Sequence, residues 1–420
     1  MALRFAFTSR TVHRTSYRWS SSSIQGREAK RHHSPPFTSS RMESSFNAVL
    51  PPEAVLADHV CDDLSPLDPP PALNRVLSQQ VLSARVAARA AERNSWPEFA
   101  DGFPTASAFF RYTCTKYRDL VAFHQRHVPS DLDDVFPLHP VDWDALRNPQ
   151  SRLQVTWVGH ASLLIQMDGC NLLADPVFSR RCAPTQYAGP ERYRPPAFTV
   201  DEMLKEQIDL HGILISHNHY DHLDYQSILD LTNAYPNVTI VVPLGLQSWF
   251  KKHVRSNLSI VQLDWHENFQ LSCTKIFAVP MCHWSNRVGW DRDKSLWCGF
   301  AIESAGCKFL FPGDTGWFRG LHDVGRRYGP FDMAAIPIGA YEPRELMQAS
   351  HLNPEEAVEM MDAVGARQAV PIHWGCFPLT LEPIMEPRDR LVAAVQKANK
   401  DPSCFSPWLI GETVVSNANK

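Results

Sequence analysis

The stretch Ile213-Leu-Ile-Ser-His217-Asn-His219-Tyr-Asp221-His222-Leu-Asp224 runs an apolar segment straight into four candidate metal ligands. Its pattern is H-x-H-x-D-H. Residues two apart on an extended backbone point to the same side, so His217 and His219 face one position together. Beyond a tight turn, Asp221 and His222 face a second position, and Asp224 stands where a helix through Ile228 and Leu231 needs its N-cap. Two divalent ions require about six or seven nitrogen and oxygen ligands, and the rest of the chain offers them one step past apolar strands. His283 follows Ile276-Phe-Ala-Val-Pro-Met-Cys, Asp314 ends Phe309-Leu-Phe-Pro-Gly-Asp, and His373 ends Ala369-Val-Pro-Ile-His. A lone histidine at a strand end is more often structural, but three such residues in order after H-x-H-x-D-H read as one centre. Asp314, delivered by Gly313, is the carboxylate placed to bridge two ions.

The composition sets the frame for that centre. Hydrophobic residues make up 44% and charged residues 20% of the 420-residue chain, an ordinary globular balance, and no run of 18 apolar residues interrupts it. The net charge of -4 divides into +7 over residues 1–42 and -11 over the remainder, and so acidic a body argues against a nucleic-acid partner. Ten cysteines are scattered from Cys61 to Cys404 with no C-x-x-C pair, and read as reduced, mostly buried thiols. More than half of the 18 histidines lie from His211 to His373, which again points to metal.

Four regions follow along the chain. Residues 1–42 are rich in arginine and serine with only Glu28 on the acidic side, the profile of a disordered mitochondrial targeting segment. Residues 43–150 form a Pro-rich arm to about residue 80 and then a helical extension, with helical spacing from about Ser83 to His127 in an Ala84–Ala91 stretch and an Ala106–Phe123 stretch. Residues 151–412 alternate short β-rich runs with helices and form the catalytic domain; residues 413–420 read as a tail. The strands are expected at Leu153–Trp157, Ser162–Gln166, Gly212–Ile215, Val238–Val242, Ile260–Leu263 and Lys275–Val279, and within 296–311, 332–338 and 368–372. Helices are expected at about 319–328, 354–364 and 386–399.

Longer strings carry a resemblance. They are Trp157-Val-Gly-His160, Asp175-Pro176, Ile215-Ser-His-Asn-His-Tyr-Asp-His-Leu-Asp-Tyr225, Val242-Pro-Leu-Gly-Leu246, Pro312-Gly-Asp-Thr-Gly316, Gly329-Pro-Phe-Asp332, Ala335-Ile-Pro-Ile-Gly-Ala-Tyr-Glu-Pro-Arg344, Pro354-Glu-Glu-Ala-Val358 and Ile372-His-Trp-Gly375. With the seven ligands in order, the chain resembles the metallo-β-lactamase superfamily. The strings narrow this to its N-acylphosphatidylethanolamine-hydrolysing phospholipase D family, over about residues 112–412. The resemblance implies an α/β fold, a four-layer αββα metallo-β-lactamase sandwich with an N-terminal helical extension, and two Zn2+ ions at one edge of its sheets. His217, His219 and His283 would hold one ion and Asp221, His222 and His373 the other, with Asp314 bridging. Iron or manganese would also suit these donors, which include no thiolate. The implied activity is zinc-dependent hydrolysis of N-acylphosphatidylethanolamine to N-acylethanolamine and phosphatidate, by metal-bound hydroxide attack at phosphorus.

Asp314, Asp221 and His351 are the expected catalytic residues; His351, in Ser350-His-Leu-Asn-Pro354, matches a family histidine near the substrate. Asp175 matches a family carboxylate that would orient a ligand histidine, the alternative being a strand-end turn. His160 either lines the site or hydrogen-bonds within its own turn, and Tyr220 is a candidate wall residue. Departures from the family pattern lie in the long N-terminus, at Met281-Cys282 and at Ala349-Ser350.

A lipid substrate implies a peripheral protein at a membrane phospholipid surface, mitochondrial by its first residues or alternatively cytoplasmic and membrane-associated; a homodimer is compatible with the sequence. The run Leu244-Gly-Leu-Gln-Ser-Trp249-Phe250-Lys251-Lys252-His-Val-Arg255 is either an interfacial helix or an ordinary amphipathic helix packing Leu246, Trp249 and Phe250 on a sheet. The competing functional readings are a hydrolase of a soluble ester, lactone or phosphodiester on the same fold, and a catalytically inert metal-binding scaffold.

Overall fold

A computed structural model describes residues 78–100, 123–124, 127–255 and 257–416. The targeting segment, most of the Pro-rich arm, most of the Ala106–Phe123 stretch and the last four residues lie outside the described residues. Thirteen strands form two sheets, with helices against their outer faces, in the αββα arrangement. β1 (Leu153–Gly159), β2 (Ser162–Met167), β3 (Cys170–Ala174), β4 (Gly212–Leu214), β5 (Thr239–Pro243) and β6 (Ser259–Leu263) belong to the first sheet. β7 (Asn268–Leu271), β8 (Thr274–Val279), β9 (Gly299–Ser304), β10 (Cys307–Phe311), β11 (Phe331–Pro337) and β12 (Ala366–Ile372) make the second, and β13 (Thr413–Val415) returns to the edge of the first. The strand orders are β13-β1-β2-β3-β4-β5-β6 and β12-β11-β10-β9-β8-β7. Each sheet begins antiparallel and ends parallel: β3 through β6 run parallel in the first, and β10 through β12 in the second.

The period of two in the strands explains the layers. In β2, Leu163, Ile165 and Met167 point into the core between the sheets, and Leu164 points outward to a second core shared with helices. That outer core is filled from the helix Tyr225–Ala234 by Ile228 and Leu231, from Val200–Lys205 by Met203 and from Gln247–His253 by Phe250. Strands buried on both faces read as continuous apolar runs, which is why most of them are visible in the sequence. β3 and β7 are not: β3 follows the Asp168-Gly169 turn within a single apolar stretch, and β7 is the polar edge strand Asn-Phe-Gln-Leu.

Helix starts follow local capping chemistry. Asp224 accepts from the Ser227 N–H, as the sequence predicts. Asn353 and Glu356 form a capping box ahead of Pro354–Ala363, with Pro354 in the first turn, where its missing N–H costs nothing. The same box at Thr199 and Glu202 starts the helix Val200–Lys205, which the strand-rich reading of this region passed over.

Two boundaries move. The tail assigned to 413–420 begins as β13, whose residues pair with Gln154–Thr156 of β1, so the sheet extends to Val415. The helix expected from Ser83 starts at Gln79 with Ser78 as its cap and is bound to the body: Arg85 and Arg89 both reach the buried Asp264, at 2.6 and 3.0 Å. Leu244, Leu246 and Phe250 are buried, so the Leu244–Arg255 run packs its apolar side on the protein and leaves Lys251 and Lys252 in water. Of the eight described cysteines none is in a disulfide and six are buried. Among the described residues no helix is long and apolar enough to cross a membrane.

Candidate metal centre

β4 ends where its chemistry begins. Ile215 is still tied to β5, its N–H donating to the Val241 carbonyl at 3.1 Å. The next residue, Ser216, turns to Asp175 at the end of β3. The Ser216 N–H donates to Asp175 Oδ1 at 2.7 Å and its hydroxyl to Oδ2 at 2.5 Å. Asp175, at φ 38, is held in a left-handed conformation that only a well-bonded residue sustains. Gly313, at φ +62, closes the approach from the second sheet: a Cβ there would come within 2.5 Å of Ser216 Cβ.

These contacts fix which ring nitrogens face inward. The Ser216 hydroxyl proton goes to Asp175, so Nδ1 of His217, 2.9 Å from that oxygen, is the donor and Nε2 carries the lone pair. His222 donates from Nδ1 to Asp175 Oδ2 at 2.7 Å, and His283 from Nδ1 to the Ser350 carbonyl at 3.1 Å. Both therefore also turn Nε2 inward. His219 brings Nδ1 to the same point, 2.8 Å from His217 Nε2 and 3.3 Å from His283 Nε2.

Three ring nitrogens, at least two of them lone pairs, thus converge on one position. One proton cannot satisfy them; a borderline cation can. Burial pushes His217 and His283 down and His219 down to about 4, so these rings are neutral and ready as ligands near pH 7.

The second position is built around carboxylates. Asp221 Oδ2 lies 3.5 Å from His222 Nε2 and 3.4 Å from His373 Nε2. Asp314 Oδ2 is 3.1 Å from His222 Nε2 and Oδ1 is 3.2 Å from His373 Nε2. Asp314 Oδ2 is also 3.9 Å from His217 Nε2 and 3.8 Å from His283 Nε2, so this one carboxylate stands between the two sets. Burial opposes a charge on His222 and His373, but Asp314 and Asp221 outweigh it, raising His222 and pushing His373 up to about 9. A cation at this position would take over the compensation those protons supply. His222 Nε2, His373 Nε2 and Asp314 Oδ1, all turned toward this position, are buried without a well-formed hydrogen bond in the protein, a deficit that fits bound metal. The structure therefore brings all seven sequence-predicted ligands together, in overlapping groups able to hold metal that also take in His160, Asp175 and His351.

The other candidates fall around this core. Asp175 lies behind the ligands, committed to Ser216 and His222. His160 does more than close its own turn: Nε2 lies 3.0 Å from Asp221 Oδ2, and its ring packs on His373 with centroids 4.1 Å apart. Its carbonyl accepts from the His373 N–H and the Trp157 indole. His351 is buried with Nδ1 3.9 Å from Asp314 Oδ2 and no partner of its own. Arg344 holds it from outside, donating to its carbonyl at 2.7 Å while pairing with Glu356. The Tyr220 ring centroid lies 4.0 Å from the Arg287 guanidinium.

Sequence reasoning missed Ser216, which sits inside the diagnostic string and is marked only by its position, and Arg93. The buried Arg93 donates from Nη1 to the His283 carbonyl at 2.9 Å and pairs with Asp293, across 190 residues that no local signal spans.

The chain is similar to several known proteins. A family profile described as the beta-lactamase superfamily domain matches residues 170–374. N-acyl-phosphatidylethanolamine-hydrolyzing phospholipase D 1 of Caenorhabditis elegans is 39% identical over 277 residues, 63% of this chain and 76% of that one. The mitochondrial N-acyl-phosphatidylethanolamine-hydrolyzing phospholipase D of Saccharomyces cerevisiae is 32% identical over 261 residues, 60% of this chain and 54% of that one. Among solved structures, a metallo hydrolase from the archaeon Ignicoccus hospitalis shares 19% identity with a TM-score of 0.48, covering 62% of this chain and 97% of its own.

Proposed function

The chain belongs to the N-acylphosphatidylethanolamine-hydrolysing phospholipase D family of metal-dependent hydrolases, and from that premise we propose that it is a zinc-dependent phospholipase D converting N-acylphosphatidylethanolamine to N-acylethanolamine and phosphatidate. The observation that carries the reading is Asp314, one buried carboxylate within 4 Å of ring nitrogens from both ligand sets. His217, His219 and His283 would hold one zinc, and Asp221, His222 and His373 the other, with Asp314 shared. Bound there, zinc lowers the pKa of water and neutralises the charge that a phosphodiester presents to a nucleophile.

The remaining work belongs to the chain. Asp175, Ser216 and the Ser350 carbonyl hold the Nδ1 sides of His222, His217 and His283 and so turn Nε2 of each ring toward the centre. His160, with Nε2 3.0 Å from Asp221 Oδ2, steadies that carboxylate. His351 faces Asp314 with a free ring nitrogen, so it can bond a phosphoryl oxygen at the centre, and Arg344 with Glu356 fixes its backbone. The Arg- and Ser-rich residues 1–42, together with the mitochondrial designation of the yeast relative, support a mitochondrial setting.

Mass-spectrometric product analysis of the zinc-loaded protein on N-acylphosphatidylethanolamine vesicles tests the reading. We expect phosphatidate and N-acylethanolamine, both lost in Asp314→Asn, with isotopic oxygen from water appearing in phosphatidate. Hydrolysis of a soluble ester or phosphodiester with no lipid turnover would overturn it, and so would label in the N-acylethanolamine.

A further inference from the structure

The segment after His283 carries apolar side chains into solvent. Trp290 is 78% exposed and Val288 43%, the larger of these being the more exposed of the two described tryptophans of this segment, Trp284 and Trp290. Gly289 between them has φ +83, with nothing within 4 Å of where a Cβ would stand.

The turn is nonetheless tightly bonded. Asp291 Oδ1 accepts from the N–H groups of Arg287 and Val288, both at 2.8 Å, and Asn286 Oδ1 from that of Gly289 at 3.0 Å. Asp293 closes its base through the Ser285 carbonyl and the ion pair with Arg93. It is also braced on the ligand loop: Arg287 Nη1 donates to the carbonyls of Asn218 and Leu223 at 3.0 and 2.8 Å. The Arg287 guanidinium also covers Trp249, 5.0 Å from its ring centroid, and so joins the turn to the helix Gln247–His253. A bonded turn that holds a tryptophan in water forgoes the burial free energy a large aromatic ring otherwise gains, which marks it as a surface with an occupant.

Charge selects that occupant. Asp291 and Asp293 are consumed within the turn, whereas Lys294 beside it and Lys251 and Lys252 on the joined helix are exposed. Acylation of phosphatidylethanolamine turns its ammonium into an amide, so the substrate keeps an uncompensated phosphodiester charge; phosphatidate is anionic too. A bilayer holding either is negative and complements these lysines. We propose that Val288-Gly289-Trp290 is an interfacial anchor that seats the protein, by the turn braced on its ligand loop, on an anionic phospholipid surface. The choice of an anionic surface rests on the lipid substrate proposed above. The basic run Leu244–Arg255 contributes charge to this docking, and the apolar insertion comes from the turn.

The test uses full-length, zinc-loaded protein with brominated phosphatidylcholine vesicles, with and without phosphatidate. Wild-type tryptophan fluorescence should be quenched by the bromolipid, and the quenched component should be missing in Trp290→Phe. Trp290→Phe should partition nearly as wild type, whereas Trp290→Ala partitions roughly tenfold more weakly. Hydrolysis of bis(p-nitrophenyl) phosphate should be the same in all three. Equal partitioning of Trp290→Ala and wild type, or equal quenching of Trp290→Phe, would overturn the anchor. So would self-association that Trp290→Ala abolishes without bromolipid quenching, which would give the turn to a second copy of the chain. Quenching through Trp290 without lipid products would leave the anchor standing and remove the proposed phospholipase activity.

Discussion

Asp175 Oδ2 receives the Nδ1 proton of His222 at 2.7 Å, and through the Ser216 hydroxyl it also sets the tautomer of His217. A single carboxylate outside the centre thus orients one ligand from each cluster. Asp175→Asn places an amide opposite His222 and removes the charge. Metal affinity should fall by about 10- to 100-fold, measured by chelator competition, with the folded content unchanged by circular dichroism.

Arg93 supports the His283 carbonyl from the first described helix. Arg93→Met keeps the aliphatic stem but removes the guanidinium that Asp293 and that carbonyl share. Urea unfolding should show a loss of about 2–4 kcal/mol, with metal affinity falling at the His217–His219–His283 position. Unchanged stability would mean that the helix merely rests on the domain.

Gly313→Ala tests the close approach of β10 to Ser216. The φ of +62 and the 2.5 Å approach to Ser216 Cβ leave no room for a methyl group. We expect roughly 2–4 kcal/mol of destabilisation and displacement of Asp314, read as a lower melting temperature together with weaker metal binding.

His266 supplies a pH dependence remote from the centre. Burial, with Arg327 and Arg89 nearby, pushes it down to about 4. Its Nδ1 lies 2.9 Å from the Tyr328 hydroxyl. The unfolded chain protonates this ring near pH 6.5 and the folded one only near 4. Its contribution is therefore complete above 6.5 and is lost as pH falls through that window. His266→Gln should flatten the slope of stability against pH there by about one proton, measured by denaturant titrations across the range.

How much of this could be read in advance follows from sequence distance. His217, His219, Asp221 and His222 lie within six residues on one strand exit, and His283, Asp314 and His373 each end an apolar run, so the local pattern points to all seven. Asp224 as a helix cap is equally local. Arg93 acts on a carbonyl 190 residues away, and nothing in its helix singles it out from Arg85 or Arg89. The apolar Leu244–Phe250 positions fit an interfacial helix and a packed one equally well, because periodicity shows that a face is apolar but not what it meets. Trp290 is the converse: one aromatic in a polar stretch has no period, and only the folded turn shows that it faces water.

The ligands are divided between the two sheets. His217, His219, Asp221 and His222 leave β4 in the first, whereas His283, Asp314 and His373 leave β8, β10 and β12 in the second. A chain emerging from the ribosome with only β1 to β6 formed owns neither complete ligand set. Metal binding would therefore wait for the two halves to dock, and metal content would report on completed assembly, because a molecule whose sheets had not closed could offer at most part of a ligand set.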